Sequence, residues 1–272
     1  LFFLKGRNST GEMSFLDHLE ALRWHLMRST IAIVVLAIVA FLNKDILFDK
    51  IIFGPKNPDF ITYKWLCIIS EKFSIDMCIK DITFSIISTS MSGQFTTHMF
   101  AAFTAGFILG FPYLLFEVWL FVKPALTSKE KRYTTGFVFW ASLLFFMGVF
   151  FGYYVISPLS INFLGSYQVS ETVKNTIALD SYISIVTIMT MSCGVVFELP
   201  IIVYFLTSIG IISPQFMRTY RKHAVVVNLI VAAFITPSPD ITSQMLVAVP
   251  LFLLYEISIW VSAFVEARKE KI

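Results

Sequence analysis

The sequence is poor in charge, histidine and cysteine. Of its 272 residues only 14% are Asp, Glu, Lys or Arg, the formal net charge is +3, and there are four histidines and three cysteines. The basic residues lie scattered near the ends of apolar runs and form no stripe interleaved with aromatics, which argues against a nucleic-acid partner. His18, His25, His98 and His223 sit at the ends of those runs, spaced unlike any metal cage. HExxH, GxSxG, P-loop and dinucleotide-binding glycine patterns are all missing, so no catalysis, metal or cofactor is expected. The first long apolar run follows a polar segment of roughly 20 residues and precedes no small-residue cleavage pattern, and it reads as a retained span.

What is present is apolar. Hydrophobic residues make up 57% of the chain, 29 of them phenylalanine, and the mean hydropathy is +0.76. This is the composition of a polytopic membrane protein. Windows near the length that crosses a hydrocarbon core of roughly 30 Å occur at 24–42, 99–122, 133–156 and 182–209. Two further runs, 224–235 and 241–265, flank TPSPD, whose prolines stop one helix while Asp240 can cap the next. Six spans are expected, the last two forming a tight hairpin. The fifth run would be about 18 Å of helix. Either it thins the bilayer, or its helix extends through Arg221 and Lys222 by snorkelling.

With the N-terminal end inside, fourteen of the 21 lysines and arginines fall on inner segments and span ends, and seven fall on outer loops. Both termini are therefore expected in the cytoplasm. The expected organisation is a cytoplasmic amphipathic segment at 1–22, outer segments at 43–98, 157–181 and 236–240, and inner loops at 123–132 and 210–223. The first outer segment is too long for a plain connection and should carry structure of its own.

A few side chains could carry chemistry. Cys67 and Cys78 lie close together in the first outer segment with no histidine pair beside them, which favours a disulfide facing an oxidising compartment. Cys193 lies in an apolar span and reads as a small buried hydrophobe. Glu198, in CGVVFELPII, is an acid near mid-span, and Pro200 loosens its turn. It is either functional or a protonated bridge between helices. Glu117 and Glu256 lie nearer the inner ends of their spans, within reach of water or headgroups. Glu130, in KPALTSKEKRYT, is spaced from Thr127 as in a capping box. The opening stretch SFLDHLEALRWHL places Ser14 and Asp17 at cap-like spacing, and Phe15 or Leu16, Leu19, Leu22 and Leu26 on one face, with His18, Glu20 and Arg23 on the rest. It is either an interfacial anchor or a docking surface for a peptide.

HLEALRWHL, FEVWLFVKPAL, the SKEKR acid, FELP, ITPSPDITSQ and the late YEIS glutamate follow one another along nearly the whole chain from Met13. In that order they resemble the TatC family, core subunits of the twin-arginine translocase. The resemblance implies an all-α, curved, glove-shaped bundle of six helices in the bacterial cytoplasmic (inner) membrane, its last two helices too short to span fully. It implies a receptor for the twin-arginine signal peptides of folded cargo, self-associating, working with single-span TatA and TatB partners and driven by the proton-motive force. It places Glu130, Phe121 and Pro124 in the peptide site, Glu198 and Gln244 where partner helices dock, and Pro55 as structural.

One position departs from the family pattern. HLxELR predicts glutamate at 21, where this chain has Ala21, and Glu20 next door is turned by about 100°. Glu20 substitutes by a local shift, or Glu130 and other groups recognise the signal, or binding is weaker. A solute transporter using intramembrane acids is the rival function, but it would show inverted repeats, and none is visible. A scaffold without a transport role is the other.

Overall fold

A computed structural model describes residues 15–73, 78, 84–125, 136–170, 175–236 and 241–269. Helix α1 (Phe15–Leu42) is followed by a short helix α2 (Ile61–Phe73), a strand β1 (Ser85–Ile87) and a long helix α3 (Gly93–Val122). Next come α4 (Phe137–Phe151), which runs through a π turn at Gly152–Ile156 into α5 (Ser157–Ser166), then strand β2 (Thr176–Ala178), α6 (Leu179–Val196) and α7 (Leu199–Ser208). The chain closes with α8 (Pro214–Thr219), α9 (Arg221–Ile235) and α10 (Ile241–Lys269).

Among the described residues five helical segments, His18–Leu42, Gly93–Val122, Phe137–Ser166, Leu179–Ser208 and Gln244–Arg268, are long and apolar enough to cross a membrane. Large apolar side chains such as Ile38, Phe234, Leu253 and Trp260 face outward, a surface that suits lipid and not water. The chain is a polytopic, helical membrane bundle. Helix α9 has 15 residues, about 22 Å, so it is the short one, and it does begin at Arg221 as the snorkelling alternative supposed. Its hairpin partner corrects the expectation that both last helices are short: α10 has 29 residues. The all-α expectation also misses a small parallel ladder, with Ser85 opposite Thr176 and Ile87 opposite Ala178.

Helices α1 and α3 pack along their length. With little hydrophobic drive between helices in lipid, close backbone approach through small residues holds such pairs. Ala102, Gly106 and Gly110 provide that stripe, and a Cβ at Gly106 would lie 2.5 Å from the Ala37 nitrogen. Phe41 stacks on His98 at 4.0 Å at one end of the seam. On α4, Gly148 similarly lies against the Cys193 carbonyl and Phe197 of the fourth segment.

Prolines punctuate the long segments. Pro200 ends the run of α6, giving a break at Phe197 and Glu198 before α7 begins. Pro158 does not stop the third segment, which carries on to Ser166, ten residues beyond the expected end at 156. Pro158 cannot donate to the Tyr154 carbonyl four residues back, and the Thr62 hydroxyl of α2 donates to it instead. The buried Tyr63 donates from its hydroxyl to the carbonyls of Pro55, at 2.7 Å, and Pro158, at 3.1 Å. Tyr153 donates to Ile51 at 2.7 Å and Tyr182 to Ile52 at 3.0 Å. Together with the Cys67–Cys78 disulfide and the strand ladder, these bonds fasten residues 43–73 over one end of the bundle. Pro55 is buried within that cap.

Candidate functional site

At the opposite end of the bundle, the N-terminal half of α1 meets the C-terminal half of α3. His18 stacks on Phe121 with ring centroids 4.3 Å apart, and His25 approaches the same ring edge-on at 6.2 Å. One turn deeper lies Glu117, only 2% exposed. Its Oε2 is 2.5 Å from His25 Nδ1, its Oε1 accepts a 2.7 Å hydrogen bond from the Tyr113 hydroxyl, and Arg28 Nη1 stands 3.7 Å from Oε1. Tyr113 and Glu117 are four apart on α3 and so share a face, as do His18 and His25, seven apart on α1. A buried carboxylate is costly unless hydrogen-bonded and paired. Here a histidine, a phenol and a guanidinium meet it.

Sequence reasoning ranked Glu117 low because it lies near the inner end of its span, within reach of water or headgroups, and its histidine partner lies 92 positions away. The available signal was the pair of histidines spaced to share a helix face.

Ala21 sits half-buried on α1 between His18 and His25, while Glu20 and Arg23 are exposed. Glu20 has no ion-pair partner among the described residues. Phe121 is half-buried, and Pro124, just past the end of α3, is exposed. The four named peptide-site residues with described positions therefore gather at one end of the α1–α3 pair. Glu130 and Asp240 lie outside the described residues.

Residues 15–42 form one uninterrupted helix, with Leu19 and Leu26 exposed and the histidine face turned to α3.

The remaining acids are separate. Glu198, 8% exposed, stands at the helix break, and its Oε1 has no hydrogen-bond partner among the described residues. Glu256 pairs with Arg221 at 2.7 Å, joining α10 to α9. Gln244 donates to the Leu229 carbonyl at 3.1 Å across the same hairpin. The geometry does not bring Glu198 to the Glu117 cluster.

A family model described as Sec-independent protein translocase protein (TatC) matches residues 17–250. The chain belongs to the TatC family. It is 38% identical over 266 residues to the TatC protein of Blattabacterium sp. subsp. Periplaneta americana (strain BPLAN), covering 97% of this chain and 100% of that one. To the TatC of Aquifex aeolicus (strain VF5) it is 31% identical, over 96% of this chain and 99% of that one. Among solved structures it is similar to a twin arginine translocase receptor TatC in DDM, with TM-score 0.70, 30% identity, and coverage of 90% of this chain and 99% of that one. A second structure of a twin arginine translocase receptor TatC gives TM-score 0.66 at 29% identity, covering 92% and 99%. TatC membership makes the chain a translocase component and not an enzyme. Within this TatC chain the buried acid of α3 and the alanine of α1 face each other's neighbourhood across one seam.

Proposed function

We propose that the chain is the receptor core of a twin-arginine translocase, binding the twin-arginine signal peptides of folded cargo at the cytoplasmic face of the bacterial inner membrane. The carrying observation is the fold similarity to solved twin arginine translocase receptors over nearly their whole length, at TM-score 0.70. In this reading α9 is a sixth, short span, both termini are cytoplasmic, and the glove-shaped bundle has its α2 cap outside. Glu130, Glu20, Arg23, Phe121 and Pro124 form the peptide site. Two arginines meeting carboxylates gain charge-assisted, bidentate hydrogen bonds. The exposure of Glu20 and Pro124 beside the His18–Phe121 stack supports that placement.

TatA- and TatB-type single-span partners dock through Glu198 and Gln244, the complex self-associates, and the proton-motive force drives export. The unsatisfied Glu198 Oε1 supports the partner role, since a polar side chain from another protein's helix would supply what the described residues do not. A solute-transport role is not favoured by TatC membership.

The direct test is fluorescence anisotropy of a labelled twin-arginine signal peptide against the purified full chain in lipid nanodiscs. Binding at least about tenfold tighter than a twin-lysine peptide is expected. Equal binding of the two peptides refutes the receptor reading. In cells, Glu130→Ala at normal membrane level should abolish export of a folded reporter, and unchanged export removes Glu130 from the site.

A further inference from the structure

We propose that Glu117 is itself a guanidinium-binding residue of the peptide site, and that Arg28 occupies it in the peptide-free state. The proposal rests on the twin-arginine receptor reading and goes beyond it, because Glu117 lies on α3 within the bundle and outside the segments from which the peptide-binding acids were expected.

The first observation is the incompleteness of the Arg28 contact. At 3.7 Å, Nη1 is too far from Oε1 for a hydrogen bond. Arg28 is half-exposed and Glu117 is not, with side chains 52% and 3% accessible. A guanidinium thus already reaches the acid from the surface without closing on it. The second is spare accepting capacity. An ionised carboxylate has about four lone-pair sites, and Glu117 uses one oxygen for His25 and the other for Tyr113. The third is Ala21, which puts only a methyl group on the α1 face between His18 and His25, about one turn (roughly 5.4 Å) from the histidine that holds Glu117. No longer side chain at that position stands over the seam. The His18–Phe121 stack beside it offers an aromatic surface of the kind guanidinium planes favour.

An incoming arginine displaces Arg28, closes on Oε1 and lies along Phe121, while its neighbour in the pair meets Glu20, exposed on α1. In a chain with no carboxylate at 21, the acid comes from the facing helix.

The test uses the full chain in nanodiscs with the labelled twin-arginine peptide, its twin-lysine counterpart, and thermal unfolding as a fold control. Glu117→Gln keeps the volume and the capacity to accept from Tyr113, and should weaken twin-arginine binding by about tenfold or more. Arg28→Gln, by removing the internal competitor, should tighten it, a change that a purely structural role for the cluster would not produce. Ala21→Glu in the Glu117→Gln background restores a carboxylate to the same seam and should recover binding. If Glu117→Gln also lowers stability, that recovery decides the matter: restored affinity supports the site, and unrestored affinity overturns it. Glu117→Gln binding within twofold of the parent, while the parent still prefers twin-arginine, overturns the inference and leaves the receptor reading standing. A parent that does not distinguish the two peptides refutes the receptor reading itself.

Discussion

His25 Nδ1 and Glu117 Oε2, carried by helices that approach through glycine and alanine, lie 2.5 Å apart although 92 positions separate them in the chain. His25→Ala removes the shorter of the acid's two hydrogen bonds and should cost about 1–3 kcal/mol, read from thermal unfolding in detergent. Paired with Glu117→Gln, the same substitution should cost less, because no ionised group is stranded. Additive losses in that cycle would show that the two side chains are not coupled.

Gly106 gives a steric prediction. Ala37 backbone atoms lie 2.5 and 2.7 Å from where its Cβ would be, and backbone cannot move aside as a side chain end can. Gly106→Val should force α1 from α3 and destabilise the chain by about 1–3 kcal/mol or more. Normal unfolding of that variant would mean the seam is looser than its contacts imply.

Tyr63 sets an alkaline limit. Burial raises its hydroxyl well above the ordinary value of 10.0, so the unfolded chain loses this proton at lower pH than the folded one. Its contribution to stability is complete below about pH 10 and falls as pH rises further. Tyr63→Phe, lacking the one hydroxyl proton shared between the two carbonyls, should be less stable at neutral pH by about 0.5–1.5 kcal/mol. Its stability should also decline less steeply above pH 10, and an identical alkaline slope in parent and variant would contradict this.

Glu256→Gln should be mild by contrast. Its partner Arg221 is half-exposed, and such pairs contribute about 0–1 kcal/mol. A loss in unfolding experiments as large as that of His25→Ala would show that α9 depends on this pair.

Ala21→Glu in the otherwise unchanged chain adds a carboxylate to the seam and should tighten twin-arginine peptide binding by about tenfold. Unchanged affinity in the nanodisc assay would show that position 21 no longer faces the peptide.

Much of the fold was legible because lipid imposes a one-dimensional rule: long apolar runs become long helices. Pro200 beside Glu198 correctly marked a break, and the Cys67 and Cys78 pair reads directly as the bridge found. The third segment's continuation past 156 was hidden because a proline's effect depends on who serves the orphaned carbonyl, and at Pro158 that partner, Thr62, comes from a distant helix. The roles of His25 and Arg28 were hidden for a related reason: both are directed at an acid on another helix. Pairings across 92 residues leave no local period to read. The three-residue strands, too short for an alternation pattern, were invisible for the same reason.

The strand ladder, the disulfide and the carbonyl bonds of Tyr63, Tyr153 and Tyr182 all lie at the α2 end. At the other end of the α1–α3 seam the tie is polar: one buried carboxylate and three partners. The two ends of that seam are therefore held by different chemistry, and only the second can exchange a partner for an arriving arginine without breaking a backbone contact.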